Sequence, residues 1–175
     1  MTLEYIGNYA DWIKDEWIQY LLTTNGKPLP KAIPKYEIES TCFVGQDDFH
    51  GREAWDFNDT VCYSYKQEEF PFKLELPNIN ERYTYNEWWF VKYNVGKVQP
   101  VHQDFPIEDG LDVNRFWMPM QDFKEGHIFW YEDEQISNYK KGDLFKFHRS
   151  DAWHAGGNMG HYTRLAFNFT TWSTE

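Results

Sequence analysis

Arg164-Leu165-Ala166-Phe167-Asn168-Phe169-Thr170 alternates strictly between two kinds of side chain. Successive residues of a strand point to opposite faces. Leu165, Phe167 and Phe169 therefore share one face, and Arg164, Ala166, Asn168 and Thr170 the other. The apolar face belongs in core packing. The second face points an arginine inward, where a guanidinium is costly to bury unless an anion meets it.

Working outward from this run, short β-rich segments fill the chain from about Glu37 onward. They are Cys42–Val44, Val61–Tyr65, Phe72–Leu74, Glu87–Val95, Lys97–Asp104, Arg115–Phe123, His127–Tyr131, Gln135–Ser137, Leu144–Phe147 and Arg164–Trp172. Turn formers separate them, among them Gly96, Pro106, Gly110, Gly126, Gly142 and the Gly156-Gly157 pair. Many short strands without intervening helices predict a sandwich or barrel. One segment breaks the pattern. From Tyr9 to Leu22, Trp12, Ile13, Trp17, Tyr20 and Leu21 fall at helical spacing, and Asn25-Gly26 supplies a stop. This predicts an amphipathic helix lying against the sheet.

The chain has 175 residues, which suits one domain over 1–175 with a sizeable core. Its net charge of −11 comes without a basic stripe, so no nucleic-acid partner is expected. No charged-then-apolar leader and no bilayer-length apolar run are present, so no membrane partner is expected either. Cys42 and Cys62 are too few for a disulfide framework. The expected setting is soluble, reducing and cytoplasmic.

Chemistry concentrates in two places. In Val98-Gln99-Pro100-Val101-His102-Gln103-Asp104, His102 and Asp104 lie two apart in a strand and project together. An imidazole and a carboxylate on one face supply two of the three ligands of a two-His-one-carboxylate iron site. The third ligand must come from a distant strand. In Asp151-Ala152-Trp153-His154-Ala155-Gly156-Gly157, His154 precedes a glycine pair that would let the chain turn sharply. His148 and His161 are alternatives. Arg164 lies ten residues beyond His154, and a dicarboxylate would satisfy it through a bidentate pair.

With these residues the chain resembles the 2-oxoglutarate/Fe(II)-dependent dioxygenase superfamily. Its motif is His-x-Asp followed by a distant His and, about ten residues later, Arg or Lys. Tyr93-Asn94-Val95-Gly96 ahead of His102 looks like the Tyr-x-x-Gly segment of prolyl-hydroxylase-like members. The resemblance covers roughly Glu87 to Trp172. It implies a mainly β, double-stranded β-helix (jelly roll) with the N-terminal helix packed on the sheet. It further implies Fe(II) held by His102, Asp104 and His154, with 2-oxoglutarate as co-substrate gripped at its far carboxylate by Arg164. Tyr93 would line that pocket. The implied reaction uses dioxygen to hydroxylate a small molecule or peptide side chain, releasing succinate and CO2.

There are departures from the pattern. Many relatives carry Ser or Thr two residues after the arginine; here Ala166 stands there, so Tyr93, Thr170 or another hydroxyl would have to serve. The Arg-x-Asn-x-x-x-Arg pattern of nucleobase-dealkylating members is absent, and Asp104 argues against halogenation. Trp89, Trp117, Trp130 and Trp153 are expected as dry walls, and the Phe105–Asn114 segment as a loop over the substrate. Two other readings keep the barrel. One is a cupin-like metal enzyme that does not use 2-oxoglutarate and has no need of an inward arginine. The other is a non-enzymatic jelly-roll binding module.

Overall fold

The computed structural model describes residues 3–29, 31–32, 55–56, 62–102, 112–149 and 152–173. Cys42–Val44 and most of the Phe105–Asn114 segment lie outside them. Among these described residues thirteen strands follow in chain order. The first five are β1 (Glu4–Asn8), β2 (Lys27–Leu29), β3 (Lys31–Ala32), β4 (Trp55–Asp56) and β5 (Cys62–Lys66). Next come β6 (Tyr85–Tyr93), β7 (Lys97–His102), β8 (Asp112–Pro119), β9 (His127–Tyr131) and β10 (Glu134–Gln135). The last three are β11 (Asp143–Lys146), β12 (His154–Asn158) and β13 (Arg164–Ser173).

The larger sheet has the order β1-β11-β8-β13-β6-β5-β2 and the smaller β10-β9-β12-β7, while β3 and β4 pair separately. All pairings are antiparallel. From β6 to β13 the chain passes repeatedly between the two sheets: β6, β8, β11 and β13 fall in the larger, β7, the β9–β10 hairpin and β12 in the smaller. That interleaving is a double-stranded β-helix, or jelly roll. Among the described residues the β-rich reading of the sequence holds from Cys62 onward, apart from Phe72–Leu74. That run is irregular, held between Pro71 and Pro77, with Phe72 and Leu74 packed sideways on the core.

The alternation in β13 works as its sequence predicts. Leu165, Phe167 and Phe169 join Phe90, Trp88, Phe116 and Met118 in the core on the outer side of the large sheet. The N-terminal helix covers that core. It is split: a single 3-10 turn at Ala10–Trp12, then α1 at Asp15–Thr23. Lys14 is extended between them, and Asp15 and Glu16 fill the first turn of α1, where their charge suits the helix dipole. Trp17 and Leu21 are buried, and Trp12 meets Phe167 at 4.9 Å while donating its Nε1–H to Glu75 O at 2.8 Å. Each large apolar side chain so buried contributes roughly 1.5–3 kcal/mol. Lys92, buried on the same side, closes the helix end by donating to Thr24 O and to Asn25 Oδ1. Among the described residues no helix is long and apolar enough to cross a membrane.

The inner faces hold a second core, with Trp117 stacked on Phe129 at 4.1 Å and Tyr131 and Phe147 beside them. Two features here differ from the sequence reading. Gly156 and Gly157 do not turn the chain; they sit inside β12. A Cβ on Gly157 would come 2.9 Å from Val98 Cγ2, and one on Gly156 would come 2.4 Å from Tyr93 Oη. These glycines are there for close approach rather than for bending. The second feature is a bulge in β7. Gly156 pairs with Gln99, yet His154 pairs with His102, so β7 carries one residue more than β12 over that stretch. Pro100, which has no N–H for the ladder, lies within the extra span, at a sheet edge where proline is tolerated.

Candidate functional site

The bulge gives Gln99 and His102 the same inward face although they are three residues apart. His102 is buried and faces His154 across the ladder, with ring centroids 4.4 Å apart and planes at 51°. His154 Nδ1 lies 2.9 Å from Ala152 O. A carbonyl oxygen only accepts, so Nδ1 carries the proton and Nε2 carries the lone pair, the tautomer a metal ligand needs. The Phe147 ring packs 5.4 Å from His154. Neither alternative histidine takes this place. His148 Nδ1 is engaged with Tyr131 Oη at 2.6 Å, and its backbone N–H also donates to that hydroxyl. His161 is exposed. Asp104 lies outside the described residues, and among those residues no group of three His, Cys, Asp or Glu side chains assembles.

Arg164, the first residue of β13, is 2% exposed and points inward opposite Tyr93. Its Cζ stands 4.9 Å from the Tyr93 ring centroid, 5.7 Å from that of Trp117 and 5.9 Å from that of Phe129. Nη2 is buried and has no hydrogen-bond partner among the described residues. A Cβ on Gly156 would lie 3.4 Å from Arg164 Nη1. Gly156 follows His154 by two residues on the same face, so the guanidinium sits about 7 Å deeper in the barrel than the imidazole pair. Cys62 lines the same inner face beside Tyr93 and Val91. Burial pushes its thiol up to about 12 although Arg164 pulls the other way, so it offers that cation no negative charge.

Tyr93 is therefore the hydroxyl placed at Arg164, and it donates to Gln99 Oε1 at 3.0 Å, both groups being buried. Thr170 is not. It lies six residues along β13, about 20 Å away at the rise of a strand. It forms a row with Glu87 and Arg115, its partners on either side. Phe147 donates its N–H to Arg115 O at 2.9 Å, which sets that row next to the His154 end of the barrel. Of the expected tryptophan walls, Trp117 is buried inside and Trp89 is half-buried on the inner face. Trp130 falls instead on the outer face, 41% exposed.

The donors fit the groups that the sequence resemblance implies. A pair of imidazoles, one with its tautomer fixed, suits a divalent metal. A buried guanidinium with an orphaned Nη2 suits an anion. Gln99 does not stand out in the sequence, because a regular strand would turn it away from His102; Pro100 is the sign of a bulge that the sequence carries. Gly156 reads there as a turn former. Gly156→Ala is expected to force Tyr93 or Arg164 aside, raising the KM for an anionic co-substrate about tenfold or more while leaving metal content intact. Isothermal titration and metal analysis of the same sample check both halves.

His127 lies at the deep end, paired with Asn158, 2% exposed, its Nδ1 3.2 Å from Tyr139 Oη. Burial first, then the charges of Arg164 and Lys124, push its pKa down to about 4. The unfolded chain takes up this proton near pH 6.5, and the folded chain only near 4. The stability that this group contributes is thus complete above about pH 6.5, declines as pH falls through the window and is gone by about 4; its size is about 3 kcal/mol. Urea unfolding at both ends of that window measures it. His127→Phe should flatten the slope, and an unaltered slope would assign the loss to other groups.

A scan against protein-family models and a search of curated proteins both return no match. Solved structures of similar fold include the viral collagen prolyl hydroxylase of Paramecium Bursaria Chlorella virus-1 in its 2OG complex, at 14% identity and TM-score 0.42, covering 54% of this chain and 61% of that one. Another is the plu4264 protein of Photorhabdus luminescens, at 12% identity and TM-score 0.42, covering 67% of this chain and 78% of that one. A third is the cupin domain of Schizosaccharomyces pombe Cnp3, at 13% identity and TM-score 0.40, covering 65% and 66%. Across these and further similar structures, the chain spans between 52% and 78% of their lengths. The likeness is one of fold alone: a jelly roll.

Proposed function

We propose that this protein is an Fe(II)- and 2-oxoglutarate-dependent oxygenase that hydroxylates a small molecule or a peptide side chain. His102, Asp104 and His154 hold the metal in this reading, and Arg164 with Tyr93 holds the far carboxylate of the co-substrate. The observation that carries it is the orphaned Nη2 of Arg164, buried one strand repeat below two facing imidazoles. A metal-only enzyme gains nothing from a desolvated cation at that depth. A dicarboxylate that binds the metal at one end and the guanidinium at the other accounts for both.

When bound, Fe(II) and 2-oxoglutarate supply the oxidising power for attack on an unactivated C–H bond, with succinate and CO2 as by-products. The chain's own work is placement and exclusion of water. Ala152 O fixes the His154 ring so that Nε2 faces the metal position. Trp117, Phe129, Tyr131 and Phe147 keep that space dry. Arg164 anchors the carboxylate through charge-assisted hydrogen bonds, and the Thr170 row with Arg115 and Glu87 borders the space beyond the imidazoles, where a substrate would enter.

The test is Fe(II)-dependent conversion of 2-oxoglutarate to succinate by anaerobically reconstituted protein, with calorimetric binding of N-oxalylglycine in the presence of Mn(II). Both should be observed. Stoichiometric metal without affinity for N-oxalylglycine would instead favour a cupin-like enzyme that does not use 2-oxoglutarate. Absence of metal binding altogether would leave a jelly-roll binding module.

A further inference from the structure

We infer that Gln99 decides which way the Tyr93 proton points, and so whether an anion beside Arg164 meets a donor or a lone pair. This rests on the co-substrate reading above and adds to it a positioning residue that does not touch the co-substrate itself.

A phenol has one proton. In the structure the Tyr93 hydroxyl gives its proton to Gln99 Oε1 at 3.0 Å, and so presents only lone pairs elsewhere. A carboxylate arriving at Arg164 would meet those lone pairs unfavourably. The Tyr93 hydroxyl is placed for such a meeting: a Cβ at Gly156 would lie 2.4 Å from Tyr93 Oη and 3.4 Å from Arg164 Nη1, so hydroxyl and guanidinium border one small space. Gln99 can resolve the conflict because the two ends of a side-chain amide are nearly the same size. Turned over, its Nε2–H donates to Tyr93 Oη, and the Tyr93 proton is released toward the anion. Both residues are buried at 6% exposure, so no bulk water competes for either hydrogen bond. Gln99 shares the inner face with His102 because the bulge lies between them.

Gln99→Glu tests this, since an ionised carboxylate accepts and cannot donate. It should retain the Tyr93 proton permanently. Binding of N-oxalylglycine is measured by calorimetry with Zn(II), a diamagnetic stand-in for iron. Tyr93→Phe in the Gln99 protein should weaken binding about tenfold. In the Gln99→Glu protein the same Tyr93→Phe change should cost nothing further, whatever the added charge does to Arg164. A tenfold loss in both backgrounds would overturn the inference, as would no loss in either. Gln99→Glu should also raise the KM for 2-oxoglutarate with kcat at saturation and iron content retained; a fall in iron content would mark a general disturbance of His102 and overturn it too. If Gln99→Glu binds too weakly to titrate, NMR of the wild-type Gln99 side-chain amide decides. Its signals should shift on adding N-oxalylglycine and stay put in Tyr93→Phe; unmoved wild-type signals would overturn the proposal. Wild-type protein that does not bind N-oxalylglycine at all would overturn the co-substrate reading as well.

Discussion

Replacing His154 by alanine is expected to abolish iron binding and, with it, all succinate formation, and His102→Ala should do the same. The two rings face each other at 4.4 Å, and the proton on His154 Nδ1 is committed to Ala152 O, which leaves the lone pair on Nε2. Another imidazole, that of His148, is tied to Tyr131 through Nδ1, as is its backbone N–H. Losing an outer-shell partner of a metal ligand commonly costs about 10–100-fold in affinity, and losing the ligand itself should cost more. For His154→Ala stability should change little, because that ring is only half-buried. Iron content after anaerobic reconstitution, beside a thermal melt, separates loss of metal from loss of fold. Full iron occupancy in both variants would end the metal assignment.

Arg164→Met should act in two opposite directions. It removes the anchor for the far carboxylate, so the KM for 2-oxoglutarate should rise about 100-fold, the usual scale for breaking a buried charge pair. The turnover rate at saturating co-substrate should fall much less, because the group that is lost grips rather than reacts. The protein without co-substrate should meanwhile become more stable, by about 1–4 kcal/mol, because an apolar chain of similar reach replaces a desolvated guanidinium with an orphaned Nη2. The Tyr93, Trp117 and Phe129 rings that surround it are already suited to a thioether. A denaturation curve and a succinate assay on one preparation measure both effects. Reduced stability with an unaltered KM would mean that Arg164 is simply a structural cation held by aromatic faces.

Most of the β framework could be read directly from the chain, for a local reason. In β13 the two-residue period separates Leu165, Phe167 and Phe169 from Arg164, Ala166 and Asn168 without help from any other segment. The same holds for the Trp88 and Phe90 side of β6. What escaped notice depends on contacts between distant segments. β1 and β2 are short, each lies at an edge of the large sheet, and neither shows a clean apolar alternation. The role of Gly156 is visible only once Tyr93 is known to lie over it. The meeting of His102 with His154, and the depth of Arg164 beneath them, agree with the motif spacing. The hydroxyl partner does not follow from spacing: Tyr93, rather than Thr170, reaches the guanidinium, because it is the cross-strand neighbour of Arg164 whereas Thr170 is six steps along the same strand.

The unequal residue count of β7 and β12 decides which way His102 looks. Paired at its present length without the irregularity, β7 would carry His102 outward beside Val98, away from His154. Deleting either residue between Gln99 and His102 has the opposite result. The two then stand two apart in a plain pleat, share the inner face and keep Gly156 and His154 as partners. A shortened chain of that kind should hold its imidazoles face to face, whereas a full-length chain that ironed out the kink should not.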